Sequence, residues 1–166
     1  MRLTGRFAAL ALAVLLAACS QNQPEEASPD AGAGAGGAGS PLDPATVEYF
    51  QQAIGDRVFF ATDSSILDAS AQATLRGQAG WLIANPGRSA VIEGHADERG
   101  TRDYNLALGA RRASAVRNFL VAEGVPADRL RSVTFGKERP ESLCANESCW
   151  SRNRRGVTVM ATGPTS

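Results

Sequence analysis

The stretch that decides the fold is Glu93-Gly-His-Ala-Asp-Glu-Arg-Gly-Thr101, followed by Asn105-Leu-Ala-Leu-Gly-Ala-Arg-Arg-Ala-Ser-Ala-Val116. The preceding run Ser89-Ala-Val-Ile-Glu93 predicts a strand, and the apolar spacing after the stretch predicts a long helix over residues 102–123. A loop rich in charge and glycine therefore joins a strand to a helix. Loops at strand ends commonly carry function on a rigid scaffold.

One arginine of the pair Arg111-Arg112 is expected to point into the domain. At about 100° per residue, Arg112 falls within the apolar arc of the helix and Arg111 lies on nearly the opposite side. An unpaired buried charge is very costly, so an inward arginine needs a partner, and its fork suits a carboxylate. Asp97, on the loop that leads into this helix, is the candidate. The apolar arc comprises Leu106, Gly109, Ala113, Val116, Phe119 and Leu120.

Two hypotheses follow for this pair. Arg112 and Asp97 could form a purely structural salt bridge, or they could line a pocket for a zwitterion, with arginine for its carboxylate and aspartate for its ammonium. The helix start near Thr101 and Arg102 also offers N–H groups to an anion. A catalytic role for His95 is disfavoured because no activated serine or cysteine accompanies it, so we predict a protein that is not an enzyme.

The rest of the pattern predicts an α/β (α+β) sandwich in which two main helices pack on a four-stranded mixed sheet, in the order β-α-β-α-β-β. A short helix is predicted over 46–53 and a second helix over 68–84, which Asn85-Pro86-Gly87 ends. The second helix should place Leu75, Ala79, Leu82 and Ile83 on one side. The remaining strands are predicted over 56–60, 130–135 and 156–161, with a loop bearing two cysteines before the last strand.

The N-terminus has the pattern of an export signal. Arg2 and Arg6 precede the run Phe7–Ala18, which has no polar residue and is shorter than the roughly 20 residues of a spanning helix. The run ends Leu16-Ala-Ala-Cys19, which resembles the bacterial lipoprotein box, although a plain signal peptide with a chance cysteine is the alternative. We therefore expect a cleaved signal peptide (1–18), a lipidated Cys19 and a flexible Ala/Gly/Pro-rich tether (19–44) before one domain (45–166).

Composition narrows the function further. The precursor carries no net charge, and cleavage would remove two of its 17 basic residues, leaving 15 against 17 acidic ones. The chain has no excess of basic residues, so its composition does not point to nucleic-acid binding. The pair Cys144 and Cys149 most simply forms a disulfide in an exported chain, although two free thiols or a metal pair are alternatives. A zinc site usually needs four ligands, and the single histidine leaves too few, so we predict no metal and no cofactor.

Four segments carry a family resemblance: Gly94-His-Ala-Asp-Glu-Arg-Gly-Thr101, Tyr104-Asn-Leu-Ala-Leu-Gly-Ala-Arg-Arg-Ala113, Phe135-Gly-Lys-Glu-Arg-Pro140 and Asn153-Arg-Arg155. Together they resemble the OmpA-like C-terminal domain family over roughly residues 56–162. The resemblance implies non-covalent binding of peptidoglycan through the diaminopimelate of its stem peptide. It also implies an outer-membrane lipoprotein with a periplasmic domain that binds TolB and reaches TolA, acting in envelope integrity and cell division.

The resemblance also assigns roles to residues. It implies that Asp97 pairs with the ammonium of the ligand and that Arg112 binds its carboxylate. Ser20 stands where an aspartate would resemble the inner-membrane retention signal, which favours the outer membrane. The other positions that the resemblance places in the pocket are Asp63, His95, Thr101, Asn105, Leu108 and Arg154.

Overall fold

A computed structural model describes residues 42–161 of the chain. The predicted signal peptide (1–18), the predicted lipid site Cys19, the tether up to residue 41 and residues 162–166 lie outside the described part. Within residues 42–161, no helix is both long enough and apolar enough to cross a membrane.

Four strands form one mixed sheet in the spatial order β1-β4-β2-β3. Strand β2 pairs in parallel with β3 and antiparallel with β4, which also pairs antiparallel with β1. The elements are α1 (Val47–Tyr49, continuing as a π-helix over Phe50–Gly55), β1 (Arg57–Phe59), α2 (Ala69–Ala84), β2 (Ala90–His95), α3 (Arg102–Ala122), a 3₁₀ turn (Ala127–Arg129), β3 (Leu130–Gly136), α4 (Glu147–Asn153) and β4 (Arg155–Met160).

This arrangement confirms the predicted fold class, two main helices on a four-stranded mixed sheet. Local capping explains why the helices begin where they do. The side chain of Asp68 accepts a hydrogen bond from the backbone N–H of Ala71 at the start of α2, and Thr101 does the same for Tyr104 at the start of α3. Such caps are readable from sequence, so both helix starts agree with the prediction.

Helix α4 was missed, because the sequence predicted only a loop before the last strand. It spans seven residues, too few for an apolar repeat to show. Its one local signal is Asn146, whose side chain accepts a hydrogen bond from the N–H of Ser148. Within this segment Cys144 and Cys149 form a disulfide with a Cα–Cα distance of 5.5 Å, as predicted.

The core lies where α2 and α3 meet the sheet. Leu75 and Leu82 from α2, Val116 and Leu120 from α3, and Ile92 from β2 are all fully buried.

The prediction was wrong for Ile83, which is half exposed. Trp81 and Gln78 face inward instead. The indole of Trp81 donates to the carbonyl of Pro44, and Gln78 donates to Gly55 and accepts from Thr158. These bonds satisfy the polar groups that burial would otherwise leave unpaired.

Two glycines let α3 approach the sheet backbone to backbone. A Cβ placed on Gly94 of β2 would lie 1.8 Å from the carbonyl oxygen of Gly109 in α3, and one on Gly109 would lie 2.7 Å from the oxygen of Gly94. No larger residue fits at either position without moving the helix. The contact therefore sets how close α3, and with it Arg112, sits to the end of β2.

Candidate functional site

A cleft of about 330 Å³ opens at the carboxyl ends of β1 and β2, beside the first half of α3. The loop after β1, the loop after β2 and the helix each supply part of its wall. Its lining residues are Thr62, Asp63, Asp97, Arg99, Gly100, Tyr104, Asn105, Leu108 and Arg112. Five of these were predicted as site residues, namely Asp63, Asp97, Asn105, Leu108 and Arg112.

Arg112 reaches the cleft from α3 and is fully buried, whereas Arg111 is exposed, as the helical spacing predicted. Its Nε donates to the carbonyl of Ser64 (2.8 Å), Nη1 to that of His95 (2.8 Å) and Nη2 to that of Ala61 (3.0 Å). Burial lowers the pKa of Arg112 to about 10, which the charge of Asp97 partly opposes. The guanidinium therefore stays charged at neutral pH, held by backbone dipoles.

The structural salt bridge between Arg112 and Asp97 is not formed. Asp97 pairs instead with two other arginines: its Oδ2 lies 2.6 Å from Nη2 of Arg99 and 3.3 Å from Nη1 of Arg154. Asp97 lies on the loop that leads into α3, but three backbone carbonyls from distant positions converge on the Arg112 guanidinium and take the place of a carboxylate.

Asp97 is an anion that its surroundings keep ionised. Burial alone would raise the pKa of this carboxyl, but hydrogen bonds from Arg99 and Arg154 outweigh burial and hold the pKa below its ordinary value. The cleft thus contains one negative and one positive group that are not paired with each other: Asp97 pairs with Arg99 and Arg154, and Arg112 with backbone carbonyls. Such a pair is complementary to a zwitterion.

Asn105 and Leu108 both line the cleft, one turn of α3 apart. The Asn105 amide donates to the carbonyl of Arg99 (2.8 Å), which ties the loop after β2 to the helix. Leu108 is buried and supplies an apolar part of the wall. Both residues are uncharged, so they contribute to the shape of the cleft and not to its charge.

Three predicted site residues do not line the cleft. Thr101 is exposed and caps α3. Arg154 is buried behind Asp97, where it donates to that carboxylate, to the carbonyl of Phe60 (3.0 Å) and to Glu147 on α4. It therefore positions Asp97 rather than facing a ligand.

His95 contributes its backbone and not its ring. Its carbonyl accepts from Arg112, while its ring is buried and stacks on Phe135 at a centroid distance of 5.5 Å. Nε2 lies 3.2 Å from Oε2 of Glu93, and Nδ1 has no hydrogen-bond partner among the described residues. Burial, with smaller contributions from Arg155, Arg139 and Arg57, lowers the pKa of His95 to about 4. A neutral ring that donates from Nε2 to Glu93 fits this environment.

Four lining residues were not predicted: Thr62, Arg99, Gly100 and Tyr104. Tyr104 donates its hydroxyl to the carboxylate of Asp63, which closes one side of the cleft. Asp63 adopts a left-handed backbone (φ 53°), which turns the loop after β1 toward α3. Both Arg99 and Tyr104 stand in segments that carry the family resemblance, but their side-chain directions depend on the folded loops.

Helix α4, which carries Cys149 of the disulfide, contacts the residues that surround Asp97. Glu147 pairs with Arg154, and the indole of Trp150 donates to Oε1 of Glu98 (2.9 Å). The guanidinium of Arg99 lies over the Trp150 ring, 4.3 Å from its centroid. Both arginines that hold Asp97 are therefore themselves contacted by α4.

The fold and the cleft define an OmpA-type α/β sandwich domain, and the OmpA family matches residues 59–154. Two relatives, from Agrobacterium fabrum and Rhizobium meliloti, are each 51% identical over 154 residues, covering 92% of this chain and 85% of the relative. Both are named peptidoglycan-associated lipoprotein. The chain therefore belongs to the OmpA family, and the relatives it resembles within that family are peptidoglycan-associated lipoproteins.

A solved structure agrees with this assignment. The crystal structure of the peptidoglycan-associated lipoprotein from Burkholderia pseudomallei is 38% identical, covers 72% of this chain and 100% of its own, and superposes with a TM-score of 0.66. These relatives carry the names of lipoproteins and not of enzymes, in agreement with the prediction that the chain is not an enzyme.

Proposed function

We propose that this protein binds peptidoglycan non-covalently through the diaminopimelate of its stem peptide. The observation that carries the proposal is the donor inventory of Arg112. A guanidinium has five N–H groups, and three of those on Arg112 donate to loop carbonyls. The remaining two, one on each terminal nitrogen, are left for a ligand carboxylate in a cleft that Asp97 also lines.

The chemistry of diaminopimelate matches this pair of groups. In a stem peptide its distal end carries a free carboxylate and a free ammonium on one carbon. The carboxylate would pair with the buried guanidinium of Arg112, and the ammonium would pair with Asp97, whose lowered pKa keeps it ionised. Names of the relatives point to the same ligand class, because they are peptidoglycan-associated lipoproteins.

A titration with synthetic stem tripeptides tests the proposal. One peptide ends in meso-diaminopimelate, and its control ends in lysine, which lacks only the distal carboxylate. We expect isothermal titration calorimetry to show at least about tenfold tighter binding of the first peptide, because a charge-assisted bidentate contact contributes about 1.5–3 kcal/mol. Equal binding of both peptides would remove the assigned role of Arg112.

Two conservative variants separate the groups. Arg112→Lys keeps the charge but loses the fork, and Asp97→Asn keeps the shape but loses the charge. Each should bind the diaminopimelate peptide and purified sacculi at least about tenfold more weakly. The matched controls Arg111→Lys and Asp103→Asn change exposed residues outside the cleft and should bind as the parent does. Circular dichroism checks that each variant is folded.

We also propose that the protein is anchored in the outer membrane. A lipid on Cys19 would anchor one end, and several acyl chains, such as palmitate, hold a protein in a membrane durably because each buried CH₂ contributes about 0.8 kcal/mol. Ser20 after the cysteine supports the outer membrane as the destination. The segment 19–44 would then span the distance to a periplasmic domain at 45–166. Metabolic labelling with an alkynyl palmitate should label the parent and not Cys19→Ala.

We further propose that TolB, and through it TolA, are partners, so that the protein acts in the Tol–Pal system in envelope integrity and cell division. The support is the resemblance to lipid-anchored members of the family, together with polar loops that surround the cleft. If TolB docks over these loops, TolB and the stem peptide should compete. TolB affinity that stays unchanged at saturating peptide would rule out that overlap.

A further inference from the structure

Arg99 donates to the carboxylate of Asp97, the group that the ammonium of the proposed ligand would contact. Its Nη2 lies 2.6 Å from Oδ2 of Asp97, its Nε lies 3.2 Å from Oδ1, and its backbone N–H also donates to Oδ1 at 3.2 Å. Arg154 adds a fourth contact, from Nη1 to Oδ2. An ionised carboxylate has about four lone-pair positions, so these contacts fill it.

The two arginines on Asp97 differ in how firmly they are held. The side chain of Arg154 is 7% exposed and enclosed between Asp97, Glu147 and Phe60, whereas that of Arg99 is 40% exposed. Arg99 also has somewhere else to rest, because its guanidinium already lies over Trp150 with Glu98 and Glu147 nearby. Arg154 is therefore a fixed support, and Arg99 is the group that can leave.

We propose that Arg99 is a displaceable internal cation that occupies the ammonium position of the cleft, and that a ligand binds by taking its place on Asp97. This inference rests on the proposed function, since it concerns the same cleft. It makes Arg99 a residue that sets affinity and selectivity. Only a ligand whose own ammonium replaces the Arg99 contacts can bind without leaving Asp97 less well paired, which disfavours ligands that carry a carboxylate alone.

The test compares Arg99→Met with the matched control Arg102→Met. Arg102 is an exposed arginine on the same segment that pairs with Glu138 and does not line the cleft. The full chain, purified in detergent, is titrated with the diaminopimelate tripeptide and with the same peptide acetylated on its distal amine. A half-exposed ion pair contributes little free energy, so a ligand that no longer has to displace it should bind roughly two- to fivefold more tightly.

The expected result is tighter binding of the free-amine peptide by Arg99→Met, no gain for the acetylated peptide, and parent-like binding by Arg102→Met. Unchanged or weaker binding by Arg99→Met, or an equal gain for both peptides, overturns the displacement while the parent's binding keeps the proposed function standing. Failure of the parent and of Arg99→Met to bind the free-amine peptide overturns both.

Discussion

Arg112 and Asp97 line the same cleft, yet they pair with other groups and not with each other. Arg112 donates to the carbonyls of Ala61, Ser64 and His95, while Asp97 accepts from Arg99 and Arg154. Opposite charges are thus kept apart by loops that satisfy each one separately. A zwitterion offers a carboxylate for Arg112 and an ammonium for Asp97, and the bonds already present give both residues a structural role.

Replacing Arg112 by Met should destabilise the domain as well as abolish binding. Three backbone carbonyls would lose a charged donor, and the loop after β1 and the end of β2 would lose their common anchor. We expect the free energy of unfolding to fall by about 3 kcal/mol in urea denaturation. The neighbouring Arg111→Met, on the exposed face of α3, should change it by less than about 0.5 kcal/mol. Similar values for the two variants would contradict the assignment of Arg112 as an anchor.

The contact between Gly94 and Gly109 predicts a strong position effect for glycine substitutions. Gly94→Ala places a methyl group 1.8 Å from a backbone oxygen, so α3 must move, and we expect a loss of about 3–5 kcal/mol in thermal unfolding. Gly80→Ala in α2 is the control, because nothing lies within 4 Å of its added Cβ. Alanine is the better helix former, so this variant should gain about 0.5–1 kcal/mol. A mild effect at Gly94 would show that α3 can shift freely.

The buried ring of His95 predicts a pH-dependent stability. Its pKa is about 4 in the folded protein and about 6.5 when unfolded, so between these values the unfolded chain binds more protons. Stability from this group is therefore complete above about pH 6.5 and is lost as pH falls toward 4. At about 1.36 kcal/mol per pH unit, the loss reaches about 3 kcal/mol.

Nuclear magnetic resonance can follow this titration directly because the chain has a single histidine. The ring should remain neutral at pH 5.5. His95→Gln shares every carboxylate with the parent, so its stability should fall less steeply between pH 6.5 and 4. Charged groups facing the ring are Glu93, Arg155, Arg139 and Arg57. An ordinary titration midpoint near 6.5 would refute the buried neutral ring.

The disulfide between Cys144 and Cys149 should stabilise the segment that includes α4. Closing a loop of this length removes chain entropy from the unfolded state worth about 2 kcal/mol. We expect a reductant to lower the melting temperature of the parent and to leave the double variant Cys144→Ser/Cys149→Ser unchanged. Because Glu147 on α4 holds Arg154, reduction should also weaken binding of the stem peptide modestly. Equal sensitivity of parent and variant to reductant would assign the effect to something else.

Long periodic segments were predictable, and short or loop-borne ones were not. The caps Asp68 and Thr101 and the apolar spacing of α3 identify the helices because they are local signals. Helix α4 is too short for such a repeat, and Ile83 lies at the margin of the α2 arc, where a small rotation exposes it. Errors of this kind arise where tertiary packing outweighs local pattern.

From sequence alone came the order of the strands and the two main helices and the inward direction of Arg112, because both rest on spacing along the chain. The family resemblance placed Asp97, Asn105 and Leu108 together, and all three line one cleft. Tertiary structure alone decided which groups pair with the charged side chains of Arg112 and Asp97. The carbonyls that hold Arg112 come from residues 61, 64 and 95, and the arginines on Asp97 come from positions 99 and 154. Arg99 lies only two residues from Asp97, but Ala61 and Ser64 lie 51 and 48 residues from Arg112, and Arg154 lies 57 residues from Asp97. These distant partners share no local pattern with the residues they contact, so only the folded chain brings them together.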